Sequence, residues 1–403
     1  MLENYMAIIM GVALLGMILD LLCSSFPNMQ RQLYKFFFVV IYFLLIIRYY
    51  YGPDISSYVP HYERIPSPAE LWAHPECASF EWGYDMFCSL LHAAGLSYWW
   101  MTVVITTLYF TAIACLFHSL SKYRLFAFAA LILLDYNLFF ENRQSLAVAM
   151  FIFMVLCMQK SRYVLAIVCA ALTILMHKSG FLLVGLTWIG ALLYRQRQSA
   201  LVYNILLLVL MVMMLIPVAH IATPLISWLP LPETYIDSIS HHLELGRQFQ
   251  SVALIYFAIL IWISMYNAHG HKTYGWIALE VLIGAVIIVA FYQYYFLLNR
   301  LRSYVAPFVL FYLANMAIES EGERKFSGAA LVRQGVAVLM VLYGMRTTVS
   351  YVQEVKKFHS PIARTSTIFD LRHMSSEQIR ARQLQIADRY WSEDYMKKDK
   401  DRL

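Results

Sequence analysis

Few residues in this sequence can do chemistry, and most of them sit at the ends of long apolar segments. Arg48 is followed by Tyr49-Tyr50-Tyr51-Gly52-Pro53-Asp54, then by Tyr58 and Tyr62. Glu81-Trp82-Gly83-Tyr84-Asp85 lies further along the same polar stretch. Glu141-Asn142-Arg143-Gln144-Ser145 opens a later apolar run, and His177-Lys178-Ser179-Gly180 forms a very short turn. Arg300 and Arg302 flank Leu301 after the run Phe291-Tyr292-Gln293-Tyr294-Tyr295-Phe296, and Tyr304 follows. Arginine forks match phosphate oxygens in pairs. Carboxylates and a neutral imidazole can take a proton from a hydroxyl. Aromatic faces beside carboxylates suit sugars, so the set points to an anionic, sugar-bearing substrate. Each residue also has a plainer reading. Arg48, Arg300 and Arg302 would serve as interfacial arginines beside an aromatic belt. Arg143 would pair with Glu141, and His177 would be a hydrogen-bonding residue.

The elements that must position these residues follow from composition. The chain has 403 residues, of which 61% are hydrophobic, 16% aromatic and 14% charged, and its mean hydropathy is +0.59. Soluble domains average about 45–50% apolar and about 25% charged residues. The composition excludes a disordered chain, a nucleic-acid-binding module and an ordinary cytosolic enzyme. The formal charge of +6 is spread without a basic stripe, so no nucleic-acid partner is expected. None of the six cysteines forms a Cys-x-x-Cys pair, and Cys115, Cys157 and Cys169 lie in apolar runs. Cys77 and Cys88 share a polar segment, which leaves a disulfide between them open. His61 and His74 have no metal-ligand spacing, and neither a metal nor a cofactor is expected. The apolar run at 6–22 lacks a basic leader and a small-residue cleavage site, so it reads as a span and not as a cleaved signal.

Apolar stretches of about 20 residues cross a bilayer as helices. Such segments, some of them short, fall at 5–22, 34–51, 98–118, 123–138, 144–158, 162–176, 179–194, 201–219, 251–267, 275–297, 303–318 and 329–349. The expected architecture is therefore an all-α, polytopic bundle of about twelve transmembrane helices. The short segments between 123 and 176 are expected to be tilted, broken or packed inside the bundle. Arg31, Lys35, Lys122, Arg124, Lys160, Arg162, Arg195, Arg197, Lys272, Arg324 and Lys325 fall in short loops on one side. Arg48, Arg64, Arg143, Lys178, Arg247, Arg300 and Arg302 are thinly spread over much longer loops on the other. By the positive-inside rule the first side is cytoplasmic. The N-terminus and the long loops 52–97 and 220–250 then face outward. Residues 84–95 read as an amphipathic helix along that outer surface. Within the membrane, Glu280 and Arg333 are expected to pair near the inner side.

The chain divides into a transmembrane domain, 1–350, and a charged tail, 351–403. Twelve crossings put the tail outside. A long tail orients weakly, and a miscount by one would put it inside. Residues 376–396, with Ile379, Leu384, Ile386 and Tyr390 among mixed charges, read as a surface helix.

Five of these motifs, in order, resemble the EpsG-type, Wzy-like polysaccharide polymerases. Arg48-x-x-x-Gly52-x-Asp54-x-x-x-Tyr58 resembles the opening signature of that family. Glu81-Trp82-Gly83-Tyr84 is similar to its Glu-Pro-Gly-aromatic segment, with Trp82 in place of proline. Asn142-Arg143-Gln144-Ser145-Leu146-Ala147 resembles its Arg-Gln-x-Leu-Ala motif, and His177-Lys178-Ser179 its His-x-Ser element. Asn299-Arg300-Leu301-Arg302-Ser303-Tyr304 is similar to its later arginine and tyrosine segment. The resemblance covers about residues 1–350 and leaves the tail as an addition.

The resemblance implies a GT-C-like bundle in the cytoplasmic (inner) membrane, with its active site facing outward. It implies a glycosyltransferase that joins polyprenyl-pyrophosphate-linked oligosaccharide repeat units, in the lipid bilayer, with a partner protein that sets chain length. Under that reading Arg143, Arg300 and Arg302 hold the diphosphate. Asp54 or Glu81 is the base, and His177 is the rival base or a phosphate donor. Arg48 braces the loop by pairing with Asp54, while Tyr58, Tyr62, Trp82 and Tyr304 contact substrate. The competing readings are a lipid-linked glycan transporter, an O-antigen ligase and a membrane sugar acyltransferase.

Overall fold

The computed structural model describes residues 5–50, 52, 54–120, 122–135, 139, 141–194, 275–291, 295–319, 335, 338–350 and 366–389. These are helical almost throughout. In chain order the helices are α1 (Tyr5–Leu22), α2 (Pro27–Ile46), α3 (Ile55–Glu63), α4 (Pro68–Ala73), α5 (Trp82–Ala93), α6 (Tyr98–Phe117) and α7 (Arg124–Leu134). They continue as α8 (Asn142–Gln159), α9 (Tyr163–Met176), α10 (Gly180–Tyr194), α11 (Gly275–Phe291), α12 (Tyr295–Glu319), α13 (Val338–Ser350) and α14 (Ser376–Arg389). Strands β1 (Arg48–Tyr49) and β2 (Ser366–Thr367) form a two-residue antiparallel ladder. The expected spans at 201–219 and 251–267, the loop 220–250 and Arg333 lie outside the described residues.

Among the described residues, α1, α2, α6 and α8 are long and apolar enough to cross a membrane, and α7, α9, α10 and α13 are shorter apolar helices. Ile8, Leu15, Phe36, Val39, Val164, Ile167, Leu339 and Leu342 are exposed. A bilayer solvates such a surface, whereas water would not. The helix expected at 34–51 starts earlier, at Pro27, because proline is preorganised for the first helical position. It also ends earlier, at Ile46, so Arg48 lies in β1, beyond the helix. Arg300 and Arg302, expected in a loop, lie within α12.

The chain forms two compact units, 1–152 with 175–178 and 313–403, and 153–174 with 179–312. In the first, α7 is the buried element. Every residue from Leu125 to Leu133 is buried, as a helix apolar on all sides requires. Its 11 residues span only about 16 Å at ~1.5 Å per residue, too short for a bilayer core of about 30 Å. The N-terminus of α7 is capped from another helix. Tyr123 stands at the cap position with φ +58° and offers no capping hydrogen bond. Asp20 of α1, fully buried, accepts the Phe126 N–H at 2.8 Å instead. An aromatic cluster of Phe38, Phe110, Phe128 and Phe139 fills the space between α2, α6 and α7.

The C-terminal carbonyls of α2, unpaired within the helix, are each taken by a side chain or by the tail. Tyr5 Oη donates to Leu44 O, Arg48 Nε to Leu45 O at 2.7 Å, and Trp99 Nε1 to Ile46 O at 2.9 Å. Ile368 N donates to Ile47 O at 3.0 Å.

In the second unit α10 packs against α11. Gly284 of α11 lets α12 approach, since a Cβ there would lie 2.7 Å from Val305 Cβ. Glu280 of α11 is fully buried. Neither of its carboxylate oxygens has a hydrogen-bond partner among the described residues.

Candidate functional site

In the first unit, α3, α5 and the N-terminus of α8 converge with residues 175–178. The Arg143 guanidinium is the centre. Its Nη1 donates to Glu81 Oε2 at 2.7 Å, and its Nε donates to Tyr58 Oη at 3.2 Å. Its Cζ lies 4.2 Å from the Phe80 ring centroid and 5.7 Å from that of Tyr58. Such a cation is held by ring quadrupoles as well as by charge. The other oxygen of Glu81, Oε1, accepts the Lys178 N–H at 3.2 Å. The Glu81 side chain is 8% exposed and that of Arg143 24%.

The fold brings Glu81 to Lys178 through Gly83. A Cβ on Gly83 would lie 2.6 Å from Leu175 Cβ, so only glycine lets the first turn of α5 abut the end of α9. Burial alone would raise the Glu81 carboxyl. The charges of Arg143 and His177 and the Lys178 N–H outweigh it and hold the group below the usual carboxylate range. For Tyr58, burial dominates the opposing charge of Arg143, and its hydroxyl is pushed up to about 12. His177 is buried, and Asp54 is close enough for its charge to act on Tyr58.

The remaining expected residues sit elsewhere. Arg48, buried, donates Nη1 to Phe139 O at 2.8 Å in addition to Leu45 O. A cation at a helix C-terminus also suits the helix dipole. Tyr62 is buried and donates its hydroxyl to Leu96 O. Trp82 donates Nε1 to Leu71 O at 3.0 Å, and its ring lies 5.8 Å from that of Trp72. In the second unit Arg300 is exposed, Arg302 is half-buried, and buried Tyr304 shares a 3.1 Å hydrogen bond with Ser179 Oγ. Cys77 and Cys88 are free thiols. Cys88 is buried, with its Sγ 3.4 Å from Met101 Sδ, and Cys77 is exposed.

Sequence reasoning missed two features. Phe80 is the platform under Arg143, and its only signal was its place beside Glu81. His61 Nε2 lies 2.8 Å from Asp85 Oδ1, and Asp85 Oδ2 accepts the N–H groups of Ser79 and Phe80 at 2.8 and 3.1 Å. The His61 ring packs on Phe80 at 4.5 Å. His61 and Asp85 are 24 residues apart in sequence, so no helical spacing announced the pair. Among the described residues, no group of three His, Cys, Asp or Glu side chains could hold a metal ion.

A profile of the EpsG family matches residues 33–327. The chain belongs to the EpsG family. The match contains every residue of the Arg143 cluster, and it leaves β2 and α14 outside. No curated protein matches the chain. No solved structure matches it either. Membership of the EpsG family places the chain among membrane proteins of polysaccharide biosynthesis, of polysaccharide-polymerase type.

Proposed function

We propose that this EpsG-family chain is a membrane glycosyltransferase. It lengthens a polysaccharide from polyprenyl-pyrophosphate-linked repeat units at the outer face of the cytoplasmic membrane. In this reading it is a GT-C-like bundle of about twelve spans. The observation that carries the reading is the Arg143 cluster. A guanidinium has five N–H donors, and here Nε and Nη1 are engaged by Tyr58 and Glu81. The remaining donors, on a side chain 24% exposed, suit the oxygens of a diphosphate.

The reaction joins an acceptor hydroxyl to the anomeric carbon of the growing chain. The new C–O bond forms as the bond to the diphosphate breaks, and the polyprenyl diphosphate leaves with the electron pair. Arg143 stabilises the charge that develops on that leaving group. The hydroxyl proton goes to a base. Glu81, held below the usual carboxylate range, is a weak base and serves to aim Arg143. Asp54 is the candidate base, and His177 is its rival when the imidazole is neutral. Tyr58 and Trp82 are the proposed substrate contacts. Tyr62, whose ring and hydroxyl are both committed, supports α3 instead.

The test is reconstitution. Purified protein given polyprenyl-pyrophosphate-linked oligosaccharide is expected to yield a ladder of longer glycans, and Arg143→Ala is expected to abolish it. Translocation across vesicles without a ladder would identify a transporter. A capped lipid or an acylated sugar would identify a ligase or an acyltransferase.

A further inference from the structure

We propose that residues 366–389, which lie beyond the family-matched region, form an outer-face clasp on the site. The segment lies on the same side of the membrane as loop 52–97, and it holds α3 in register beneath Arg143. Its positioning role rests on the polymerase reading, whereas its sidedness does not.

The contacts are of several independent kinds. Backbone pairing sets Thr367 opposite Arg48 and Ser366 opposite Tyr49, and Ile368 N continues the pairing to Ile47 O. Side chains extend it, with Tyr49 Oη bonded to Ser376 Oγ and Arg380 paired with Glu63 at the end of α3. Gln383 Nε2 donates to Ser366 Oγ at 2.7 Å, which ties α14 back to β2. Ile379 is fully buried, and α14 packs on α3.

The clasp is built to hold that shape. Thr367 and Asp370 form a capping box ahead of the turn at Ile368–Arg372. Ser375 and Gln378 exchange a second reciprocal pair, with Gln378 Oε1 accepting the Ser375 N–H and Ser375 Oγ accepting the Gln378 N–H. Such local order specifies a docked element, since each box satisfies N–H groups that a frayed tail would leave to water.

Two consequences follow. Segments that share backbone hydrogen bonds lie on one side of a bilayer, so the chain crosses an even number of times between Glu63 and Ser366. The ten apolar segments read from the sequence beyond residue 97 satisfy that parity when each crosses; with α7, too short by itself, held inside the bundle, one further segment must also stop short of crossing. Second, α3 carries both Tyr58, which bonds Arg143, and His61, which bonds Asp85. Arg380 and Ile379 are therefore positioning residues, acting on the guanidinium through α3.

The experiment starts from a version lacking the six native cysteines and showing normal glycan ladders. Single cysteines at Glu70 and Asp388, both exposed, are treated with a membrane-impermeant maleimide on spheroplasts. Labelling of both is expected, and labelling of only one overturns the shared side. Tyr49→Cys with Ser366→Cys is expected to form a disulfide in membranes, because ladder partners lie about 4.5–5.5 Å apart at Cα. Absence of that bond overturns the docking. At equal protein level, Arg380→Glu is expected to lower polymer yield about threefold to tenfold. Arg380→Lys and the swap Arg380→Glu with Glu63→Arg are expected to restore it. An unchanged yield in Arg380→Glu, in a strain where Arg143→Ala abolishes polymer, overturns the positioning role. An unchanged yield in Arg143→Ala as well would instead indict the polymerase reading and leave the disulfide and labelling results to judge the clasp.

Discussion

Arg143 and Glu81 are 62 residues apart in the chain and meet at 2.7 Å. The plainer reading of the sequence pairs Arg143 with its neighbour Glu141. Glu81 reaches the guanidinium because Gly83 lets α5 close on Leu175, which also delivers the Lys178 N–H to the second oxygen. The carboxylate is thus held by three groups, two of them charged, and the Phe80 ring lies against the cation.

Removing one member of this pair strands the other. Breaking a buried pair costs about 3–5 kcal/mol, and the 24% exposure of Arg143 brings the expectation toward about 2–3 kcal/mol. Glu81→Ala is therefore expected to lower the midpoint of thermal unfolding in detergent by several degrees, and Glu81→Gln by less. Arg143→Lys keeps the charge but loses the fork, and it is expected to retain most stability while losing most polymer. Thermal melts beside glycan ladders at matched protein level check both.

Gly83 gives a sharper contrast. Gly83→Ala puts a Cβ 2.6 Å from Leu175 Cβ and 2.9 Å from Leu175 O, where backbone must move. The expected cost is about 1–3 kcal/mol, with loss of polymer because Glu81 is displaced. Gly11→Ala meets nothing within 4 Å in the middle of α1 and is expected to be neutral or stabilising by up to about 1 kcal/mol. Equal effects of the two substitutions would show that α5 does not abut α9.

The pH dependence follows from Glu81. Its carboxyl is held below the ordinary carboxylate value of 4.5 in the folded protein. A depressed carboxylate contributes stability that is fully present above the unfolded value and is lost as pH falls through the folded one. The contribution of the Arg143–Glu81 pair is therefore expected to be constant from about pH 8 to about pH 5.5 and to fall only in stronger acid. The difference in unfolding midpoint between the native chain and Glu81→Gln, followed against pH, reads it directly. The gap should narrow only in the acid range. A gap that narrows as pH falls through neutrality would mean that Glu81 is not held by Arg143 and Lys178.

The sequence made some of this legible. Apolar runs located the long apolar helices among the described residues, because hydropathy over about 20 residues reports helices that must bury or lipid-solvate a whole surface. The motif residues Arg143 and Glu81 stood out because charge is scarce in such a chain. What stayed hidden depended on contacts between distant segments. Asp20 capping α7 could not be read, since its partner is the Phe126 N–H, a backbone group with no sequence signature. Arg48 is expected as a loop brace, and its added bonds to Leu45 O at the end of α2 and to Phe139 O follow only from where that helix stops. The pairing of β1 with β2 was invisible because two-residue strands carry no periodicity.

Asp85 tests how the loop around Phe80 is held. Its Oδ2 accepts two backbone N–H groups, from Ser79 and Phe80, and its Oδ1 meets His61 Nε2. It is 1% exposed, so water cannot replace it. Asp85→Ala leaves both N–H groups unpaired, at about 1–3 kcal/mol each, and frees the segment that carries the platform under Arg143. Asp85→Asn retains one acceptor oxygen but puts an NH2 group against either the backbone donors or His61, so it is expected to recover only part of the loss. His61→Ala leaves the two backbone bonds in place and is expected to cost only about 1 kcal/mol. Thermal melts should therefore rank Asp85→Ala below Asp85→Asn and both below His61→Ala. If His61→Ala is instead the worst for polymer yield while being the mildest for stability, the imidazole contributes to the reaction itself. In that case the carboxylate at Asp85 is what orients it.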